Sequence, residues 1–168
     1  MMSKFRSTFC VGALAVGLLS PAMAWANPAD ESQLRQLESR LAEAFAGKKI
    51  DQIMQAYAQD VFAFDLTMPR QYVGASAYRR SWEGLLAEFE GPIKVELSDM
   101  VVSADGTIGY GHKIHHVIGT NAHGDKIEIT VRISDVYLKQ HGDWVIVQEH
   151  VSVPLDAKTM TPDLMSRP

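Results

Sequence analysis

Lys126-Ile127-Glu128-Ile129-Thr130-Val131-Arg132-Ile133-Ser134-Asp135-Val136-Tyr137 alternates without a break. Ile127, Ile129, Val131, Ile133, Asp135 and Tyr137 fall on one face, and Lys126, Glu128, Thr130, Arg132 and Ser134 on the other. A period of two held over this length predicts a strand with one buried face. Asp135 stands in line with the β-branched residues of that face. A charge in such a place needs a pairing partner or a pocket to line.

The same pattern extends to both sides. Ile93–Ser103, Thr107–Asn121, Lys126–Gln140 and Asp143–Pro154 read as four strands, with turn signals at Asp105-Gly106, His123-Gly124-Asp125 and His141-Gly142-Asp143. Ahead of them the period changes to that of a helix. Asn27-Pro28-Ala29-Asp30-Glu31 supplies a capping side chain, a proline for the first turn and acids beside the positive end of the helix dipole. Leu34, Leu37, Leu41, Ala44 and Phe45 follow at helical spacing until Gly47. A short helix begins near Asp51, a strand covers Val61–Leu66, and a third helix carries Tyr78, Trp82, Leu85 and Phe89 as its apolar stripe up to Gly91-Pro92. Helices first and an antiparallel meander after them predict one α+β domain, its helices packed on one curved face of the sheet.

The first 26 residues read as an export signal. Lys4 and Arg6 precede an apolar run, Phe9–Leu19, too short to span a bilayer, and Ala22-Met23-Ala24 and Ala24-Trp25-Ala26 repeat the small-residue cleavage spacing. The domain is therefore expected over 27–155, followed by a partly disordered tail at 156–168, and the protein is expected to be periplasmic or secreted without a stable membrane anchor. N-terminal sequencing of the exported protein should start after Ala24 or Ala26; a membrane-bound product retaining Met1 would refute the signal.

Cleavage would remove Cys10, the only cysteine, leaving neither thiol catalysis nor disulfides. Without Lys4 and Arg6, 14 basic residues face 20 acidic ones, and no basic run points to nucleic acid.

Three segments resemble the nuclear transport factor 2-like superfamily, in its SnoaL-like and ketosteroid isomerase-like branch. They are Ile53–Asp65 with its Tyr57-Ala58-Gln59-Asp60 core, Val73-Gly74-Ala75-Ser76-Ala77-Tyr78, and the closing hairpin from Ser134-Asp135-Val136-Tyr137 to Gly142–Pro154. The resemblance implies three N-terminal helices on a strongly curved antiparallel sheet that encloses a cone-shaped cavity, a cystatin-like roll. It also implies a homodimer and a bound small apolar or aromatic molecule. It places Asp65 at the position of the isomerases' general base and Asp135 at that of their second, protonated Asp, an arrangement that serves as a standard illustration of pKa tuning. Where their donor tyrosine is expected on the first helix, this chain has Arg40-Leu41.

The candidate residues follow from both lines. Asp65 reads as a general base or as a strand-end cap of the next turn, and Asp135 as a pocket acid or as the partner of a buried Arg or His. Tyr110, His112, Ile114, His116 and Ile118 share one face of their strand; if that face is the concave one, His112 and His116 stand beside Asp135 and His112 can shuttle protons. A metal site is not expected, because His112 and His116 lie roughly 13 Å apart on a strand while a metal–nitrogen bond spans ~2.1 Å. Tyr57, Phe64, Trp82, Tyr110, His116, Tyr137 and Glu149 are expected to wall the ligand cavity, Glu149 pointing inward with Val147 and Val151 while Trp144 and His150 point outward. Two functions remain: an isomerase, dehydratase or cyclase using an Asp base and no cofactor, or a non-catalytic homodimeric ligand-binding or interaction module.

Overall fold

The computed structural model describes residues 27–165; the expected export signal, with the cleavage expected after Ala24 or Ala26, lies outside the described residues. The first helix, α1 (Pro28–Ala46), starts where the sequence places its cap: Asn27 Oδ1 accepts from Ala29 N at 3.1 Å, and Asn27 Nδ2 donates to Asp30 Oδ2 at 2.8 Å. Asp30 also ties the helix to the sheet, accepting from Lys139 Nζ at 2.6 Å and Trp144 Nε1 at 3.2 Å. Short α2 (Ile50–Met54) leads into β1 (Tyr57–Phe64), β2 (Tyr72–Val73) and α3 (Ala75–Ala87). The long strands follow as β3 (Glu90–Asp105), β4 (Ile108–Thr120), β5 (Lys126–Gln140) and β6 (Asp143–Ser152). No helix among the described residues is long and apolar enough to cross a membrane.

One curved six-stranded sheet runs β2-β1-β6-β5-β4-β3, giving the expected α+β roll with one correction. The β1–β6 pair is parallel, so the sheet is mixed rather than wholly antiparallel. Leu34, Leu37, Leu41 and Phe45 of α1, Tyr78 of α3 and Val102, Val117, Tyr137 and Ile146 of the sheet form the core. The short tail strands β7 (Leu155–Asp156) and β8 (Thr161–Pro162) pair with each other. Thr130 N then donates to Leu164 O at 2.8 Å. Here β5 outruns β6, whose last partner is Ser152, so the β5 backbone takes its acceptor from the tail.

The inner face of β4 carries Gly109, Gly111, Lys113, His115, Val117 and Gly119, and Tyr110, His112 and His116 lie on the outer face. This corrects the expected facing of β4. The registers Lys113↔Ile133, His115↔Val131 and Gly111↔Asp135 fix it, since Ile133, Val131 and Asp135 are the buried side of β5. The cause is close packing. A Cβ on Gly119 would stand 2.4 Å from Phe89 Cδ1, and one on Gly109 2.9 Å from Leu34 Cδ1, so this face has no room for large side chains at those places.

A bulge in β6 corrects the facing of Trp144 as well. Tyr137 pairs with Ile146 and Val136 with Gln148, which leaves Val147 as the extra residue. Parity changes there, so Trp144, Ile146 and Glu149 all point inward, and Trp144 is buried with its indole on Asp30.

Candidate functional site

Between α3 on one side and the inner faces of β4 and β5 on the other lies a cavity of about 440 Å³. Its volume falls within the range of small-molecule sites. Phe45, Trp82, Leu85, Phe89, Val117 and Val131 give it an apolar wall, and Asp65, Ser81, His115 and Glu149 add polar groups. The elements explain the placement. The α3 stripe turns Tyr78 and Trp82 toward the sheet, edge to face with Tyr57 and Phe45 at ring separations of 5.1 and 5.2 Å.

Glu149 is the buried acid of the cavity wall. Its carboxylate accepts from the hydroxyl of Tyr78 and from that of Tyr57, the latter at 3.1 Å. Burial raises its pKa above the usual 4.5, opposed by the charge of Lys113 and by the tyrosine bonds. Burial and the Glu149 charge push both tyrosines well above 10, so they remain donors. His115 stands two residues from Lys113 on the same face. Burial, aided by the lysine's charge, lowers its imidazole from 6.5 to about 3, and it is neutral at physiological pH.

Beneath the cavity runs a charged cluster. Lys113 Nζ lies 2.7 Å from Glu38 Oε2 and contacts Asp135 Oδ2 directly. Tyr137 donates its hydroxyl to Glu38 Oε1 at 2.7 Å and lies 3.3 Å from Asp135 Oδ2. All four side chains are buried. Burial works against the lysine's charge, but Asp135 and Glu38 outweigh it and hold Lys113 as the ammonium. One ammonium faces the three buried carboxyls of Glu38, Asp135 and Glu149. Burial therefore wins at Asp135, whose pKa rises well above 3.8 against the pull of Lys113.

Among the sequence candidates, Asp65, Trp82 and Glu149 line the cavity together. Asp65 fits both of its readings: Oδ1 accepts from Leu66 N at 2.7 Å, as a turn cap would, and Oδ2 accepts from Ser81 Oγ at 3.0 Å within the lining. Tyr57 stands behind Glu149 rather than on the wall, and Asp135 and Tyr137 belong to the Lys113 cluster. Four candidates are on the outer face. His112 and Tyr110 are exposed there, and Phe64 packs edge to face on His150 at 5.7 Å. His116 bonds Thr130 Oγ1 at 2.9 Å and lies 3.1 Å from Glu128.

Sequence reasoning passed over Glu38, Lys113, His115 and Ser81. Only Glu38 left a clear signal, four residues after Leu34 and three before Leu41 in the buried stripe of α1.

Comparison with known proteins agrees with this architecture. The family model described as SnoaL-like domain matches residues 34–156. Among solved structures, the chain is similar to a nuclear transport factor 2-like protein of unknown function from Pseudomonas putida, with 30% identity over 85% of this chain and 99% of that one and a TM-score of 0.77. It is also similar to a candidate dehydratase of the same fold family from Streptomyces avermitilis (16% identity, 77% and 100% covered, TM-score 0.69). A cystatin-like protein from Nostoc punctiforme follows (14% identity, 77% and 94% covered, TM-score 0.65). At those two identities the likeness concerns the fold alone. No curated protein matches the sequence.

Proposed function

The chain belongs to the SnoaL-like domain family, and from that premise we propose that it binds an apolar, ring-sized molecule in its cavity and moves protons on it. The observation that carries this reading is the pair of carboxyls in different settings on one apolar cavity. Asp65 is partly open to water and held by Ser81, whereas Glu149 is enclosed by two tyrosines. Such a pair separates base from acid. Asp65 takes a proton from a C–H beside a carbonyl. Glu149, whose protonated form burial favours, gives one to the developing enolate oxygen for isomerisation, or to a departing hydroxyl for dehydration. The role first given to Asp135 passes to Glu149, because Asp135 is occupied by Lys113 below the cavity.

The test uses 2-indanone in D2O, with deuterium uptake beside its carbonyl followed by NMR. The wild type is expected to speed uptake, and Asp65→Asn to lose on the order of 100-fold of that rate while still binding the ketone. Val131→Trp fills the cavity and should abolish binding. Equal rates in wild type and Asp65→Asn, or binding that survives Val131→Trp, would refute the reading.

We also propose a homodimer through the outer sheet face, in an exported protein. One row across that face runs Val101, His112, Ser134, His150 and Phe64, and Tyr110 projects from the next. Val101, Tyr110 and Phe64 are 46%, 59% and 38% exposed, apolar area that a second copy would cover. Sedimentation at micromolar concentration should return twice the chain mass, and Tyr110→Asp should return the monomer. A monomeric wild type would overturn the proposal.

A further inference from the structure

A second cleft, of about 940 Å³, opens between α1, α2 and the turn that joins β5 to β6. It is polar where the first is apolar, and the two share only Leu41. Gln33 and Gln36 reach it from α1, Gln52 and Gln55 from α2 and the residue that caps it, and Gln140 from the turn. The protein has eight glutamines, so this one cleft gathers five and leaves only Gln59, Gln71 and Gln148 elsewhere. The helix period explains the α1 wall. Gln33, Gln36, Arg40 and Glu43 each stand one position before a member of the buried stripe Leu34, Leu37, Leu41 and Ala44.

The polar groups here are not spent on one another. Among the described residues, Gln33, Gln52, Gln55 and Gln140 make no side-chain hydrogen bond, and Gln36 meets only Ser32 Oγ, at 3.5 Å. Arg40, Glu43, Lys49 and Asp143 border the same cleft, and none of them enters an ion pair with a described residue. Two cations and two anions balance, so the cleft favours neither sign of ligand charge. Leu37, Leu41 and Trp144, all buried, add an apolar floor.

That combination matches one ligand chemistry. Each glutamine offers a carbonyl acceptor and two N–H donors, and a sugar hydroxyl likewise both donates and accepts. Adjacent hydroxyls can therefore meet adjacent amides while the C–H face of a pyranose ring rests on the apolar floor. An extended peptide would instead look for an open strand edge, and the walls here are helices and a hairpin end where Gln140 already pairs with Asp143. We propose that this cleft is a carbohydrate site, and that its ligand is a neutral oligosaccharide long enough to span from α1 to the β5–β6 turn. The volume, near the upper end for small-molecule sites, suits several rings rather than one. The proposal stands whether or not the apolar cavity binds a ketone.

The glutamines themselves report the result. Nitrogen-15-labelled protein is titrated to millimolar concentration with cellotetraose, maltotetraose and tetra-N-acetylchitotetraose, and the side-chain NH2 signals are followed by NMR. At least one sugar should shift Gln33, Gln36, Gln52, Gln55 and Gln140 saturably and leave Gln59, Gln71 and Gln148 unmoved. The double replacement Gln36→Ala, Gln52→Ala should weaken that binding about tenfold or more. Both positions are exposed and helical, where alanine is the better helix former, so the fold is kept. Pentaglycine should leave every glutamine signal in place. No saturable shift with any of the three sugars would overturn the proposal, as would an affinity unchanged in the double variant or sugar-induced shifts centred on Val117 and Val131 of the apolar cavity. If pentaglycine binds the cleft as tightly as the best sugar, the carbohydrate assignment falls.

Discussion

Lys113→Met is expected to destabilise the protein by roughly 3–5 kcal/mol, the cost of breaking a buried ion pair by removing one partner. The ammonium lies against Asp135 and 2.7 Å from Glu38, all three side chains being essentially inaccessible. Without it two acids face each other in a dry core, and they must hold protons to remain there. Asp135→Asn should cost less, since burial already holds Asp135 toward its protonated form and Lys113 keeps Glu38. The triple replacement Glu38→Leu, Lys113→Met, Asp135→Leu provides the contrast. It removes the charges together, and burying apolar groups of similar size in their place should recover most of the loss. Urea denaturation at neutral pH measures all three. If Asp135→Asn keeps full stability and instead loses ligand binding selectively, Asp135 belongs to the site and not to the scaffold.

How much of this could be read from the chain differs from one element to the next. The β5 alternation placed Asp135 and Tyr137 on the buried face, and the structure keeps them there. The Asn27 cap, the α1 stripe and the turns at Gly106, Gly124 and Gly142 also follow local rules that tertiary contacts leave intact. The β4 strand inverts the usual inference. Its outer face, Ile108-x-Tyr110-x-His112-x-Ile114, looks apolar and aromatic, while its inner face shows glycines, a lysine and a histidine. Hydrophobicity selects the wrong side because Leu34 and Phe89 fill the space that side chains on Gly109 and Gly119 would need. The β6 bulge hides in a second way. One extra residue at Val147 puts Trp144 and Glu149 on the same side, although strict alternation puts them on opposite ones. Long-range packing and register are absent from any local window. For that reason the base candidate Asp65 and the wall residues Trp82 and Glu149 were legible, while His115 and Lys113 were not.

The buried cluster and the cavity are joined electrically, and that joins scaffold stability to site chemistry. Asp135 and Glu149 are direct partners across β5 and β6, and Lys113 stands one inward position from His115 on β4. The lysine's charge opposes protonation of the imidazole and of Glu149 alike. A substitution in the cluster that leaves the fold standing therefore still alters the acid proposed for the cavity. The rate-against-pH profile of Lys113→Met should move its acidic group to higher pH, since the cation that favours ionised Glu149 is gone.

His115→Leu is expected to make the protein more resistant to acid. The wild-type imidazole titrates near 6.5 in the unfolded chain and at about 3 in the folded one, where burial and then the charge of Lys113 disfavour its cation. Below pH 6.5 the unfolded state gains a proton that the native state refuses, so stability from this group is lost as the pH falls toward 3. At pH 4.5 the loss is about 3 kcal/mol, at roughly 1.4 kcal/mol per pH unit. The raised carboxyls act in the opposite sense. Folded Asp135 and Glu149 keep protons that the unfolded chain releases above about 4, so their contribution is complete below that pH and is lost as the pH rises. The wild-type profile is thus a compromise between groups of opposite sign, and its slope alone assigns nothing. Subtraction resolves it: both carboxyls and every exposed histidine are common to the two proteins, and a leucine of similar size retains the packing against Val131 and Val117. The difference in unfolding free energy between His115→Leu and wild type should grow by about 3 kcal/mol in favour of the variant from pH 7 to 4.5. Parallel profiles over that range would mean that the folded imidazole accepts its proton, and that His115 is not held neutral by its burial.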